Sequence, residues 1–182
     1  GTAQVTRRYQ PNTLILETRF ETAEGAATLI DFMPPREDLS SLVRLVVGER
    51  GRMRFHAELI LRFGYGATVP WVTRIDDHTR RAIAGPDMVV LHSTVSSRGE
   101  NFKTVADFTV GAGETESFVL SYALSHRPLP ARIDVQDALR KTERFWTDWV
   151  GKSQIDCPWN EAVERSLITL KALTFAPTGG MV

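Results

Sequence analysis

The chain has 182 residues, 42% of them hydrophobic, which suits one ordinary globular domain with a buried core plus a fragment and is short for two complete domains. Its 22 Lys and Arg balance 22 Asp and Glu, so at zero formal charge no electrostatic field draws it to nucleic acid or an anionic membrane. The single cysteine, Cys157, excludes an internal disulfide and a Cys-based zinc site, and points to a reducing, cytoplasmic setting.

No run approaches the roughly 20 apolar residues that span a bilayer, and the opening residues lack the apolar segment of a secretory signal. From residue 14 to 123 the sequence alternates apolar and polar side chains between turn signals, the pattern of strands with one buried face. Strands are expected over 14–20, 28–32, 42–47, 53–61, 72–75, 80–84, 88–93, 102–110 and 116–122. The clearest places Met53, Phe55, Ala57, Leu59 and Leu61 on one face and Arg52, Arg54, His56, Glu58 and Arg62 on the other.

The same rhythm joins Phe102, Thr104, Ala106, Phe108 and Val110 in one strand, and Glu116, Phe118, Leu120 and Tyr122 in the next. With Gly111-Ala112-Gly113 between them, these two strands are expected to pair as a hairpin. Turns are expected at Glu24-Gly25, at Asp76-Asp77, whose short acidic side chains bond back to the local backbone, and at Gly85-Pro86-Asp87. Short strands at this spacing predict a mainly β fold, an antiparallel sandwich.

Pro128-Leu129-Pro130 forms a stiff connector, after which the apolar period becomes helical. Asp134 is the expected N-cap of a helix whose stripe is Val135, Leu139, Phe145, Trp146 and Trp149; an aromatic stripe of this kind packs against its own protein more often than it carries a sugar. A second helix is expected to begin near Asp156-Cys157-Pro158, with Pro158 in its first turn, and to run to about Phe175 before Pro177. Its apolar set, Trp159, Ala162, Val163, Leu167, Ile168, Leu170, Ala172 and Leu173, exceeds what the few neighbouring helices can cover. Cys157 reads as a helix-start residue rather than a nucleophile.

The motifs for chemistry are sparse. His56, His78, His92 and His126 form no metal-ligand pattern, so no metal or cofactor is expected. Gly64-Tyr65-Gly66 and Gly179-Gly180 lack the ending of a phosphate cradle, and Ser125-His126 lacks the elbow of a hydrolase nucleophile. Paired carboxylates for sugar hydrolysis stand roughly 6.5 to 9.5 Å apart in inverting enzymes. Glu17, Asp31, Asp76, Asp77, Asp87 and Asp107 are available, but nothing in the sequence gives two of them a common cleft.

The order of motifs is more specific. Tyr9-Gln10-Pro11, Leu16-Glu17-Thr18-Arg19-Phe20, Asp31-Phe32-Met33-Pro34, Gly64-Tyr65-Gly66 and Ala84-Gly85-Pro86-Asp87 are followed by Phe145-Trp146-Thr147-Asp148-Trp149 and the run from Arg165 to Gly180. This series resembles the N-terminal part of bacterial glycoside hydrolase family 15 proteins, the glucoamylase and trehalase-like enzymes. The resemblance implies a super-sandwich over 1–128 lacking its first strands, a linker with a helix over 129–157, and over 158–182 the first helix of an incomplete (α/α)6 barrel. It implies that the chain is cut at both ends, and that the two catalytic glutamates of this inverting family lie downstream, so no residue here is catalytic. Trp159, Leu167, Leu170 and Leu173 are then expected to face barrel helices or the sandwich. Thr178 and Gly179, in the turn leading to the active-site side, are the substrate-proximal candidates.

The implied partners are an α-glucoside or α-glucan and the remainder of the α-barrel, with a homo-oligomer also in view. Two other roles compete with that of a noncatalytic module: a carbohydrate-binding sandwich in which Tyr65, Trp71 and Trp146 stack on sugars, and a purely structural or interface domain.

Overall fold

A computed structural model of the chain describes residues 3–153 and 157–181. Within them lie β1 (Gln4–Tyr9), β2 (Leu16–Glu21), β3 (Gly25–Phe32), β4 (Ser40–Leu59), β5 (Trp71–Asp76), β6 (Thr79–Ala84), β7 (Asp87–Ser93), β8 (Arg98–Glu100), β9 (Lys103–Gly111) and β10 (Thr115–Leu124), then α1 (Val135–Val150) and α2 (Asn160–Ala172). The main sheet runs β1-β2-β3-β4-β10-β7-β6-β5, while β9 pairs with the second half of β4 and β8 with β9. Every pairing is antiparallel, in the mainly β class expected.

The expected strands 42–47 and 53–61 are one strand, β4, which leaves the main sheet and enters the small one. It bends at a bulge where Arg50 faces Ala26 and Gly48 faces Ala27, leaving Glu49 as the extra residue. The Glu49 carboxylate accepts from Thr28 Oγ1 at 2.5 Å and from Arg19 Nε at 2.8 Å, which holds the bulge in place.

The expected hairpin between β9 and β10 does not form. β9 pairs with Arg52–Leu59 of β4, and β10 pairs with Ser40–Val47 of the same strand. Gly111-Ala112-Gly113 is therefore the corner at which the partner of β4 turns from one sheet to the other. At that corner Gly48 N donates to Glu114 O at 3.0 Å and Gly113 N to Gly48 O at 2.9 Å. A Cβ on Gly48 would lie 2.0 Å from Gly111 O, so the two backbones can cross only without a side chain there.

Folding the ribbon over itself brings aromatic rings from both sheets together. Phe55 stacks on Phe108 at 5.5 Å, Phe108 meets Phe118 of β10 at 5.5 Å, and Phe20 meets Phe55 edge-on at 6.4 Å. The other face of the main sheet packs Ile15, Phe32, Val43, Leu45 and Val119 against Val135, Ala138 and Leu139 of α1. The main sheet is thus covered on both sides. The more buried face of β10 is accordingly the small-residue set Ser117, Val119, Ser121 and Ala123, of which Val119 packs against α1, rather than Glu116, Phe118, Leu120 and Tyr122.

Asp134 caps α1 as expected, accepting from the backbone N–H groups of Gln136 and Asp137. The connector before it is fastened to the sheet: His92 Nε2 bonds the Pro130 carbonyl oxygen at 3.0 Å, and Arg132 Nη2 donates to Thr79 Oγ1 at 3.0 Å. Asp156, expected at the start of the second helix, lies outside the described residues. Pro158 precedes α2 instead of occupying its first turn: it lies in a tight turn that Asn160 N closes on Cys157 O at 3.2 Å and the Asn160 side chain closes on Cys157 N at 2.8 Å. α2 also ends three residues early, at Ala172 rather than Phe175, since Phe175 N bonds Gly180 O at 2.7 Å and not the helix. β1 and β8 were not expected: every β1 residue is exposed and β8 is short, so neither carries a period-two signal. No helix among the described residues is long and apolar enough to cross a membrane.

Candidate functional site

α2 is anchored through one apolar position and three polar ones. Ile168, 1% exposed, packs with Trp146 and Val150, with Leu14 and Trp149 at the margin. Trp149 Nε1 donates to Leu167 O at 3.2 Å, and Lys171 Nζ sits 4.8 Å from the Trp149 ring. Arg165 Nη1 donates to Thr13 O at 3.2 Å, and its guanidinium lies 4.8 Å from the centre of the Tyr9 ring. Trp146 is thereby consumed in packing and presents no face to a sugar.

Val163 and Leu167 are half-buried, and the rest of the apolar set is open. Trp159 is 74% exposed, and Leu170, Leu173 and Phe175 are exposed as well. Beyond α2 the chain closes a small loop: Gly179, at φ 72°, donates from N to Phe175 O at 2.8 Å, and Thr174 bridges to Met181. Thr178 and Gly179 form the exposed tip of that loop, with Thr178 Oγ1 accepting from Gly180 N at 3.2 Å. Arg36, from the segment after Asp31-Phe32-Met33-Pro34, lies 6.0 Å from the Phe175 ring. The segments that stood out in the sequence at 9–11, 31–34 and 165–180 therefore converge on one side of the molecule.

The six carboxylates considered for acid–base work are each engaged. Glu17 accepts from Arg8 Nε at 2.8 Å and Gln10 Nε2 at 2.9 Å; burial pushes its carboxyl up, but these two donors outweigh that and hold it below its ordinary value. Asp31 takes a two-pronged bond from Arg44 at 2.6 and 2.8 Å. Asp76 accepts from His78 N at 2.7 Å within the expected turn, which lowers its pKa, and Asp77 pairs with Arg74. Asp87 accepts from Tyr122 Oη at 2.7 Å. Asp107 lies between His56 and Arg98, and those bonds lower its pKa. A general acid at neutral pH requires the opposite shift. Among the described residues no group of three or more His, Cys, Asp or Glu side chains is placed to hold a metal.

A separate groove of about 880 Å³ opens between edge strand β5 and the β8–β9 turn, lined by Pro70, Trp71, Arg80, Arg98, Asn101 and Phe102 among others. Trp71 stands on its wall, 81% exposed. Tyr65, fully exposed at φ 56°, sits at the tip of the hairpin closed by Phe63 and Thr68 and does not line the groove. By its alternation with Thr104 and Ala106, Phe102 is expected to open a strand. It instead occupies the turn between β8 and β9 with Asn101, 81% exposed. The turn character of Glu100-Asn101 was the one sequence signal for this.

No protein-family model matches the chain. It is 26% identical to a trehalase of Mycolicibacterium smegmatis and 27% identical to a trehalase of Mycobacterium tuberculosis, in each case over 97% of this chain. The chain spans only 30% of the length of either. A solved structure assigned as a kojibiose phosphorylase from the human microbiome superposes on 93% of this chain and 29% of its own, with a TM-score of 0.55 and 10% identity, a likeness of fold.

Proposed function

We propose that this chain is the noncatalytic N-terminal module of an inverting α-glucoside hydrolase of glycoside hydrolase family 15, a trehalase-like enzyme that releases glucose from trehalose or α-glucans. The observation that carries the reading is the similarity to two trehalases along 97% of this chain, while the chain accounts for 30% of each. In this reading 1–128 is the sandwich, 129–157 the linker and 158–182 the start of the catalytic α-barrel.

The chemistry belongs to the remainder of the barrel. Inversion uses one carboxylic acid to protonate the leaving oxygen and one carboxylate to activate water, at a separation of roughly 6.5 to 9.5 Å, and needs no cofactor. Every candidate carboxylate here is already held by a donor, which supports assigning none of them to catalysis. Trp159, Leu170, Leu173 and Phe175 supply the apolar surface on which further barrel helices pack, and the Thr178-Gly179 tip lies at the edge of the sugar site.

The test compares glucose release from trehalose, maltose and a longer dextrin by these 182 residues and by the same protein extended through the barrel. Release by the extended protein alone is expected and names the substrate. Release by the short chain, or by neither protein from any α-glucoside, overturns the reading.

A further inference from the structure

Phe102 is in an expensive place. Glu100 pairs with Lys103 across a two-residue turn in which Asn101 has φ 48° and Phe102 φ 60°. Such turns favour Asn followed by Gly, because a left-handed backbone crowds any Cβ. Asn101 fits that preference and Phe102 contradicts it. The ring gains nothing from packing in return, since it is 81% exposed. Backbone strain of this kind clusters at ligand-binding and active sites, and an exposed aromatic ring there is a candidate ligand contact.

Across the groove stands Trp71, equally exposed, at the start of the edge strand. Two large apolar faces therefore border a space of about 880 Å³. The polar groups between them are charge-matched. Arg98 pairs with Asp107 at 2.7 Å and with Glu100 at 3.3 Å, Lys103 pairs with Glu58 at 3.0 Å, and Arg74 pairs with Asp77. Arg80, only 6% exposed, spends its donors on the carbonyl oxygens of Asp76, at 3.0 Å, and Ser97. The exposed cations of the lining, Arg74, Arg98 and Lys103, are each held by a carboxylate, whereas the Asn101 amide has no partner among the described residues. Flat apolar walls with a free, planar amide beside them and paired charges between them match a pyranose ring, which offers C–H faces to aromatic rings and hydroxyls to its edge. The groove is open, so it admits a chain.

We propose that the groove between Trp71 and Phe102 is a noncatalytic binding site for a neutral oligosaccharide, specifically an α-glucan chain; the choice of α-glucan rests on the enzyme reading above. Trp71 and Phe102 supply the stacking faces, and the Asn101 amide bonds the hydroxyls. The site would hold substrate polymer near the enzyme, apart from the reaction.

Calorimetric titration and tryptophan fluorescence of the 182-residue chain with maltoheptaose, cellohexaose and trehalose test it. Saturable binding of maltoheptaose is expected, weakened about tenfold or more in Trp71→Ala and in Phe102→Ala and unchanged in Tyr65→Ala, which lies outside the groove. Phe102→Gly separates folding from binding: relief of the left-handed strain raises the melting temperature while affinity falls. The proposal is overturned by absence of binding to any of the sugars, by unchanged affinity in the Trp71 and Phe102 variants, or by preference for cellohexaose. It is also overturned if Trp71→Ala abolishes self-association without affecting sugar binding, which would give the groove to a second copy. Trehalose hydrolysis by the barrel-extended protein is read separately. Its absence counts against the enzyme reading and leaves the titration standing.

Discussion

Arg165 and Tyr9 stand guanidinium over ring at 4.8 Å, and the same arginine donates to the Thr13 carbonyl oxygen at 3.2 Å. This contact ties the last helix to the first turn of the sandwich, across 152 positions of sequence. It explains why two short segments at opposite ends of the chain, 9–11 and 165–180, both stand out: they form the two sides of one joint. Gln10, next to Tyr9, extends the joint through Glu17 to Arg8.

Arg165→Ala removes both interactions and should cost about 1 to 2 kcal/mol, chiefly as loosening of α2. Arg165→Lys should recover only part, because an ammonium covers the ring less well and cannot reach the carbonyl with the same fork. Urea unfolding gives the total. Limited proteolysis shows where it is lost, and cleavage that does not move toward 157–175 would show that the joint does not hold the helix.

The burial of α2 is concentrated at one residue. Ile168→Ala should cost about 2 to 4 kcal/mol through the cavity left between Trp146 and Val150. Leu170→Ala, at an exposed position, should change the stability of this chain by less than about 0.5 kcal/mol. The contrast bears on the proposed barrel: in a protein extended through it, Leu170→Ala becomes destabilising, and a neutral result there would remove the packing role assigned to this face.

The fold class and the strands with strong alternation were legible because one face of each is buried, as along β4, where Met53 is buried and Arg52 and Arg54 are exposed. What was not legible has a physical reason in each case. β1 buries nothing, so its residues follow no pattern. The corner at Gly48 and Gly111 looks like an ordinary hairpin in sequence, because the close backbone approach that sets it lies between residues far apart in the chain. Phe102 continues the alternation of β9 perfectly well by hydrophobicity, and only its left-handed backbone sets it outside the stripe. Of the site candidates, Trp71 was legible as an aromatic beside Pro70, whereas its pairing with Phe102 depends on how the two sheets are folded together.

Gly48→Ala tests the corner directly. Its Cβ would meet Gly111 O at 2.0 Å, and that neighbour is backbone. The variant should lose about 3 kcal/mol or more, or fail to fold. Gly99→Ala is the control, since nothing lies within 4 Å of its added Cβ. Thermal melts of the two that proved equally mild would mean that the two halves of the ribbon do not cross as closely as described.

The outer face of the small sheet should confer a pH dependence with two limbs. His56 Nδ1 lies 2.6 Å from Asp107 Oδ1 and Nε2 lies 3.5 Å from Glu58 Oε1; the bond to Asp107, then that to Glu58, raises the His56 pKa above the usual 6.5. A raised pKa means that the folded state binds the proton more tightly than the unfolded state. The stabilisation is therefore complete below the ordinary histidine value and is lost as pH rises through the raised one. Asp107, held down by His56 and Arg98, and Glu58, held down chiefly by Lys103, act in the opposite sense: their contribution is present above the ordinary carboxylate range and is lost as pH falls. All these groups are exposed, so the effect is small and shrinks with added salt. Melting temperatures across pH should show His56→Gln flattening the alkaline limb while the acid limb, shared with Asp107–Arg98 and Glu58–Lys103, largely persists. An alkaline limb unchanged by His56→Gln would assign it to another group.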